Sequence, residues 1–584
     1  MVNPIVATPA PPPPTGFRFR PALLDALRGY SASDLGHDLT AGLVVAAVAI
    51  PLAIAFSIAS LAPASSGAEN APQVGLVTVV IAGTMAALFG GSRFLVTGPT
   101  GAFIVVLANV VAKHGIDGLL LATFMAGVML VAAGLLRLGQ VIKFIPYPVT
   151  TGFTAGIAVT IFCGQLPDLL GVSLAHAPPE PLAKAWDVAG QVMSHHWNPW
   201  AFGLAAATVA IILLVKKYVP RVPGPIVALV VLTAAIWAWG GHLGQPVTSV
   251  GAKYTIPNSL PGPRVPAGIL DWARIKDLLP SAFTIFLLGA IESLLAAVVA
   301  DGMTRKRHDS NQELVGQGLA NMASPLFGGI AATGAIARTA TNIQNGARTP
   351  ISALAHVAIV VAVLYALSPL AGLIPMAVLA GILVVVAWNM SERHHFAKIL
   401  KMPRSDAAVM LVTFLATILI DLTWGVAVGL LLSAGVFLHR MSGLTKVAHI
   451  DPLSNSPYSE PRFKPDEVPD GVLVYSIDGP FFFGAADQFQ EAMSRVASPP
   501  KVVILRLRDV PYLDATGLHA LESAIDGLRR RGTRVMISAI QNQPLDMLER
   551  SGAVHTIGDG NLLKDTPAAL EEARRHLGIS AVAS

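Results

Sequence analysis

The residues of this chain that could do chemistry fall in three stretches. "AATGAIARTATN" (331–342) is small, apolar and threonine-rich apart from one cation, Arg338. Its triplet Thr333, Gly334, Ala335 occurs again far upstream as Thr100, Gly101, Ala102 in "VTGPTGAF" (96–103). The third stretch, "LLGAIESLLAAVVADGMTRKRH", sets Glu292 in the middle of an apolar run and Asp301 at its end, beside Arg305. A helix N-terminus exposes unpaired N–H groups and a partial positive charge, so it binds anions without a cationic side chain. In the upstream stretch Pro99 suits a first helical turn, Gly98 and Gly101 allow close backbone approach, and Thr97 or Thr100 can cap. Thr333 and Gly334 would do the same in the downstream one. Arg338, about one turn on, adds a full charge and a fork of donors suited to carboxylate or sulfate.

The competing reading is that Thr-Gly pairs merely pack helices and Arg338 snorkels to the interface. Recurrence of the pattern in two short segments favours anion binding. The candidate substrate set is Pro99, Thr100, Gly101, Ala102, Thr333, Gly334, Ala335 and Arg338, joined by Pro51, which can kink the first span, and Phe56, which can line a cavity. Glu292 is a proton carrier, a cation ligand or a neutralising partner for Arg338; the alternative is an interhelical hydrogen bond from a permanently neutral acid. Asp301 reads as structural, pairing with the basic loop or capping a helix end. Gln317 and Asn321, at i, i+4, read as polar glue between helices.

The elements that must position these residues lie in lipid. The 584 residues are 53% hydrophobic and 13% charged, against about 25% charged in soluble domains. The apolar runs are too long for barrel strands, so the chain reads as an α-helical polytopic membrane protein. Runs near 41–60, 73–90, 99–113, 118–137, 147–165, 200–216, 225–240, 279–300, 313–330, 333–346, 351–369, 372–388, 407–420 and 423–439 suggest about fourteen spans. The short runs at 99–113 and 333–346 contain the two triplets, which is the signature of broken helices at corresponding places in inverted repeats. Two halves of seven spans put the third and tenth in correspondence.

Lysine and arginine gather after even-numbered spans: Arg93; Arg137 and Lys143; Lys216, Lys217 and Arg221; Arg305, Lys306 and Arg307; Arg393, Lys398, Lys401 and Arg404; Arg440 and Lys446. The long 241–277 loop, with Lys253, Arg264, Arg274 and Lys276, departs from the trend but weighs less. Both termini are therefore expected in the cytoplasm. The opening tract, "MVNPIVATPAPPPPTGFRFR", lacks a signal-peptide core and reads as a disordered tail over 1–30. Cys163 reads as a small core residue, and the pairs His195, His196 and His394, His395 as surface loops rather than metal ligands. No Walker motif, GxGxxG, serine elbow or zinc signature occurs, so neither an ATP-driven pump nor an enzyme is expected, nor any cofactor, metal or nucleic-acid partner. A transmembrane domain over 31–445 is followed by a polar, proline-rich linker over 446–470 and a soluble α/β domain over 471–580. There "VLVYSIDG", "KVVILRLRDV" and "RVMISAI" read as strands, and "AADQFQEAMSRVA" and "ATGLHALESAIDGLRRRG" as helices. In "YLDATGLHAL", Asp514, Thr516 and Gly517 fall at a strand-to-helix turn, where a hydroxyl is a natural cap and a possible phosphorylation site.

"GPTGAF", "GAIESLLAAVVADGMT", "ELVGQGLAN", "GGIAATGAIARTATN" and "VAWNMSE" together resemble the SulP anion-transporter family (solute carrier family 26), and "YLDATGL" resembles the hallmark turn of a STAS domain. The resemblance implies a seven-plus-seven inverted repeat with core and gate domains, substrate held between the third and tenth helices, elevator-like movement and a homodimer. It places Arg338 at the basic position of the tenth helix and Glu292 at the acidic position of the eighth. "LGAIESLL", "VADGMT" and "AWNMSE" look most like the bacterial C4-dicarboxylate branch, which implies uptake of succinate, fumarate or aspartate with protons. Ala296 and Ile336 stand where sodium-coupled bicarbonate members offer hydroxyl ligands. Bicarbonate or sulfate is the alternative cargo, and an anion channel or a regulatory protein acting through a cytoplasmic partner of the STAS domain the alternative class. In the STAS turn Thr516 matches the phosphorylatable position, while Ala515 departs from the serine often found before it.

Overall fold

The computed structural model describes residues 19–64, 68–140, 146–174, 180–219, 222–239, 247–366, 368–420, 422–443, 445–449, 468–494 and 500–579. The proline-rich tract before residue 19 and residues 450–467 of the expected linker lie outside them. The chain divides into two compact units, Met1–Leu430 and Leu431–Ser584.

The first unit is helical: α1 Ala32–Leu61, α2 Ala71–Phe89, α3 Gly101–Leu135, α4 Tyr147–Leu170, α5 Pro199–Tyr218, α6 Gly224–Trp239, α7 Trp272–Thr304, α8 Ser310–Leu326, α9 Ile336–Gln344, α10 Ile351–Ala366, α11 Met376–Met390 and α12 Arg404–Leu419, with α13 Leu422–Ser442 beginning in it. Among the described residues eight helices are long and apolar enough to cross a bilayer. The rest are shorter, and α9, at nine residues and about 1.5 Å per residue, reaches about half of a ~30 Å hydrocarbon layer.

Several boundaries differ from the sequence expectation for local reasons. The first helix starts at Ala32 rather than near 41, because Ser31 and Asp34 form a reciprocal capping box. The runs at 99–113 and 118–137 stand as two helical segments of α3, parted at Gly115, whose φ of 70° and ψ of −175° break the helix in a conformation only glycine adopts without strain. Residues 19–30, expected as disordered tail, include a helix, Ala22–Ala26, whose Ala22 N–H donates to the Gly90 carbonyl at 2.9 Å. An amphipathic helix, Pro181–Met193, occupies what was expected as loop.

Two bundles make up the unit. α1, α2, α3, α7, α8, α9 and α10 pack together, and α4, α5, α6, α11 and α12 form a second group. In the first bundle α3 and α8 approach to backbone contact: a Cβ on Gly127 would meet Met322 N at 2.6 Å and Gly318 O at 2.8 Å. This close approach explains the many glycines, since small residues let lipid-embedded helices gain van der Waals contact that lipid tails would otherwise supply.

The second unit is an α/β layer structure. Its sheet runs β3 Lys446–His449, β4 Val472–Asp478, β5 Val502–Asp509, β6 Arg534–Ser538 and β7 Leu562–Leu563, with β3 antiparallel to β4 and the others parallel. Along β5, Val503 and Leu505 join one apolar cluster and Val502 and Ile504 the other, so the strand is buried on both faces. Helices α14 Phe483–Ser494 and α15 Ala515–Arg530 cover the first cluster, and α17 Thr566–Leu577 the second; α16 is Asn542–Ser551. β3 arises from the first residues of the expected linker, and β7, α16 and α17 add to the elements read from the sequence.

Candidate functional site

The two triplets meet. β1, Thr97–Gly98, pairs antiparallel with β2, Thr333–Gly334, in the register Thr97 to Gly334 and Gly98 to Thr333. Each two-residue strand runs straight into a helix: α3 opens at Gly101 after the N-cap residue Thr100, and α9 at Ile336 after Ala335. Antiparallel strands send the helices off in opposite directions, so both N-termini come to one place from opposite sides. Cross-ties hold the crossing: Ala335 N–H donates to Val96 O at 2.9 Å, and Val96 N–H to Thr339 Oγ1 at 3.1 Å. α8 supports it from behind. Gln317 donates to Thr97 Oγ1 at 2.7 Å and to Glu313 Oε1 at 2.9 Å, and Asn321 bonds both N–H and carbonyl of Ala332. The glue reading of Gln317 and Asn321 agrees with these bonds. Glu313, which the sequence reading passed over, is buried and accepts from Gly91 and Ser92 N–H, each at 2.9 Å.

A cavity of about 340 Å³ opens at the crossing, between the two helical bundles. Gly101 and Ala102 from α3 and Ile336 and Ala337 from α9 line it, which puts first-turn amides without intrahelical acceptors on its wall. Glu292 faces it from α7 and accepts the Thr100 hydroxyl at 3.1 Å. Much of the remaining wall is apolar, from Leu52, Phe56, Phe153, Ile157, Leu288 and Ile291. Thr150 and Thr154, near the start of α4, and Asn389 and Glu392, at the end of α11, carry the lining to helix ends, the second of them next to Arg393. The cavity therefore extends toward the arginine- and lysine-rich face.

Arg338 is 1% exposed and borders this cavity with a constrained fork. Its Nη2 donates to the Pro99 carbonyl at 2.8 Å, so the arginine of one half-helix is tied to the lead-in of the other. Nη1 lies beside Gly98, where any Cβ would clash with it. That contact is a reason for glycine at 98 that the sequence alone did not give.

Of the candidate residues, Phe56, Thr100, Gly101, Ala102, Ala335, Arg338 and Glu292 line the cavity. The rest of the set behaves differently. Pro99 precedes the N-cap rather than opening the first turn, and contributes its carbonyl to Arg338. Thr100 occupies the N-cap position without a side-chain cap bond, because its hydroxyl is spent on Glu292. Thr333 and Gly334 lie outside α9 and away from the cavity lining: Thr333 Oγ1 bonds Ser293 Oγ at 2.6 Å, and Gly334 N–H donates to the same oxygen at 3.1 Å. Pro51 lies within α1 and lines a second, apolar cavity with Ile54, Leu76 and Trp237. Asp301 bonds His308 at 2.7 Å, within the basic loop but to its histidine rather than to Arg305. Ser293, Asn389 and Glu392 were missed; Ser293, next to Glu292, carried the one usable signal, a second polar residue in an apolar span.

Among the described residues no group of three His, Cys, Asp or Glu side chains is arranged to hold a metal ion, and His195, His196, His394 and His395 are exposed. In the second unit Asp514, not Thr516, caps α15: its Oδ1 accepts Gly517 N–H at 2.7 Å and its Oδ2 accepts Phe483 N–H at 3.2 Å. Thr516 is exposed in the first turn.

Comparison with known proteins adds independent findings. A model of the sulfate permease family matches residues 35–413, and a STAS-domain model matches 464–570. The chain is 42% identical over 533 residues to the putative sulfate transporter YvdB of Bacillus subtilis (strain 168), covering 91% of this chain and 96% of the relative. It is 33% identical over 564 residues to the bicarbonate transporter BicA of Synechocystis (strain ATCC 27184 / PCC 6803 / Kazusa), covering 93% and 95%. The solved structure of the murine Solute Carrier 26 family member A9 anion transporter in the inward-facing state superposes with a TM-score of 0.83 at 18% identity, over 95% of this chain and 94% of that one, which shows the same fold.

Proposed function

The chain belongs to the sulfate permease family of anion transporters and carries a STAS domain, and from that premise we propose that it is a secondary carrier taking up C4-dicarboxylates together with protons. The observation that carries this reading is the cavity itself. It sets two helix N-termini and a carboxyl group, Glu292, around a largely apolar space of about 340 Å³. Amide dipoles suit the carboxylates, and the apolar wall suits the hydrocarbon between them, where a compact hydrated oxyanion has nothing to gain. In this reading the first-turn amides of Gly101, Ala102, Ile336 and Ala337 receive the anion, the charge of Arg338 acts from behind, and Glu292 carries the proton. The lysine- and arginine-rich face is cytoplasmic, so the cavity as seen faces the cytoplasm of an inner-membrane homodimer. Movement of the α3–α9 bundle against the other would expose the site to the opposite side.

Proteoliposomes holding the purified chain provide the test. Labelled succinate uptake should rise under an imposed inward proton gradient, and fumarate should compete. Absence of gradient-driven uptake sinks the proton coupling. Sulfate and bicarbonate are the second reading, favoured by the names of the two relatives. Strong competition by either, with none from fumarate, would decide for it. Saturable, trans-stimulated flux separates a carrier from a channel. Full biological activity in an Arg338→Ala chain that no longer transports would instead favour a regulatory protein acting through the exposed Thr516 turn.

A further inference from the structure

From Arg338 a strip of buried polar groups runs on to residues that the transport reading does not use. Arg338 and Asn342 stand one turn apart on α9, and Ser352 and His356 one turn apart on α10; all four are buried. Asn342 Nδ2 donates to Ser352 Oγ at 2.9 Å. One turn back from Asn342 is Arg338 and one turn on from Ser352 is His356, so the Asn342–Ser352 bond ties together the two helices that carry them. α2 triangulates the same pair. Arg338 Nη1 and Val79 of α2 both border Gly98, and Gly83, one turn on from Val79, lies against Val357, the neighbour of His356.

Arg338 Nη1 and both ring nitrogens of His356 are buried without a hydrogen-bond partner. Native proteins leave few such atoms, and ordered water is the usual partner of polar groups too far apart to meet directly. We propose that an internal water joins Arg338 Nη1 to a ring nitrogen of His356, making His356 the positioning residue that fixes the guanidinium from behind while the Pro99 carbonyl fixes it from the side. Imidazole suits this role because one neutral ring offers both an acceptor and a donor. The arginine's charge is then held at a set depth below the helix N-termini, and an anion arriving in the cavity meets it without reorganisation. The proposal rests on the anion site described above, but its first test does not require transport.

That test is a thermal double-mutant cycle on the purified full chain with His356→Leu, Arg338→Met and both together. Shared water predicts that His356→Leu lowers the melting temperature in the parent chain and has little effect once Arg338 is methionine. Additive shifts overturn the proposal. A cryo-electron map of the unmodified chain gives a second reading that no folding failure can obscure: density between Nη1 and the imidazole supports the water, and the two groups packed against apolar atoms with no density between them refutes it. In proteoliposomes, His356→Leu should raise the KM for labelled succinate about tenfold at unchanged maximal rate, the size of one net hydrogen bond, and His356→Gln should restore it. Equal behaviour of glutamine and leucine would leave only a packing role and overturn the positioning. If succinate is not the cargo, the transport arm reads nothing for any variant while the thermal cycle and the map still decide.

Discussion

Replacing Gly98 by alanine isolates the arginine's tether from its charge. A methyl group at 98 would sit well inside contact distance of Arg338 Nη1, while its next neighbour, Val79 Cγ2, stays at 3.4 Å. The obstacle is thus the free end of a long side chain rather than backbone, so the fold should survive. The guanidinium, however, is rigid. Its Nη2 makes a 2.8 Å bond to the Pro99 carbonyl, and a retreat of Nη1 to the ordinary ~3.5 Å of van der Waals contact drags Nη2 away from that oxygen. A hydrogen bond from a charged donor contributes about 1.5–3 kcal/mol. At about 1.4 kcal/mol per factor of ten, losing it should weaken apparent anion affinity by about 10- to 100-fold with Arg338 still present. The assay is the concentration dependence of labelled anion uptake in proteoliposomes, with monodispersity and melting temperature measured beside it. Gly164→Ala is the control, since a Cβ there meets nothing within 4 Å. Gly75→Ala marks the opposite extreme, because its Cβ would press on the Ala53 backbone carbonyl and should break the α1–α2 contact. A Gly98→Ala protein that is well folded and binds with unchanged affinity would refute the idea that the Pro99 tether places the charge.

Other expectations follow from the same geometry. Glu292→Gln keeps an oxygen that can accept from Thr100 but removes the exchangeable proton; uptake down a substrate gradient should persist while its dependence on external pH disappears, and retained pH dependence would remove Glu292 from the proton path. Asp514→Ala should cost α15 about 1 kcal/mol, the usual value of a lost cap, seen as about fivefold faster amide exchange at Gly517, whereas Thr516→Ala should leave that exchange unchanged. Tyr30, outside the spans, donates to Asp38 at 3.1 Å, and burial followed by the nearby Asp38 charge pushes its phenol from 10.0 up to about 12. Because the folded value lies above the unfolded one, its contribution to stability is complete below pH 10 and lost as pH rises through about 12. Ultraviolet titration of the Tyr30→Phe chain against the parent should show the loss of a phenol ionising near 12; loss of one ionising near 10 instead would contradict the buried bond.

The repeated Thr-Gly-Ala triplet was enough to forecast that two short helices share a site, because an interrupted apolar run has few other uses in lipid. It could not say which atoms face the substrate. Thr100 and Thr333 occupy matching places in the two triplets, yet one hydroxyl serves Glu292 and the other Ser293. That division depends on α7, which passes close to both half-helices and is remote from each in sequence. Pro51 was misplaced for a similar reason. Its position in the first span was legible, but a residue's face on a span buried along much of its length is set by its neighbours, with no amphipathic stripe to mark it. In the second unit continuous apolar runs such as VVIL at 502–505 marked the central strands well. The edge strands β3 and β7 are too short to show a period of two, and only their pairing reveals them.

The position of Arg338 changes what the site asks of its anion. A guanidinium projecting freely into the cavity would form a bidentate pair and hold any carboxylate tightly, which slows release. Here Nη2 is occupied by a backbone carbonyl, and Nη1 is held against Gly98. What reaches the cavity is the field of the charge, added to two helix N-termini whose individual contributions are about 0.3–2 kcal/mol each. Such a site attracts an anion through many weak, fixed dipoles and one tethered charge. A carrier benefits from that arrangement, since it must release its cargo as readily as it takes it up. The same tether explains why both half-helices should travel as one body. The Arg338–Pro99 bond, the β1–β2 pair and the Thr339–Val96 bond all cross between them, so any movement that carries one N-terminus past α4 and α11 carries the other and the anion with it. Moving the α3–α9 crossing relative to α4 and α11 breaks none of these bonds. Cross-linking α3 to α9 through engineered cysteines near the crossing should therefore leave uptake intact, while cross-linking either to α4 should arrest it; arrest by the first cross-link would show that the two half-helices separate during transport.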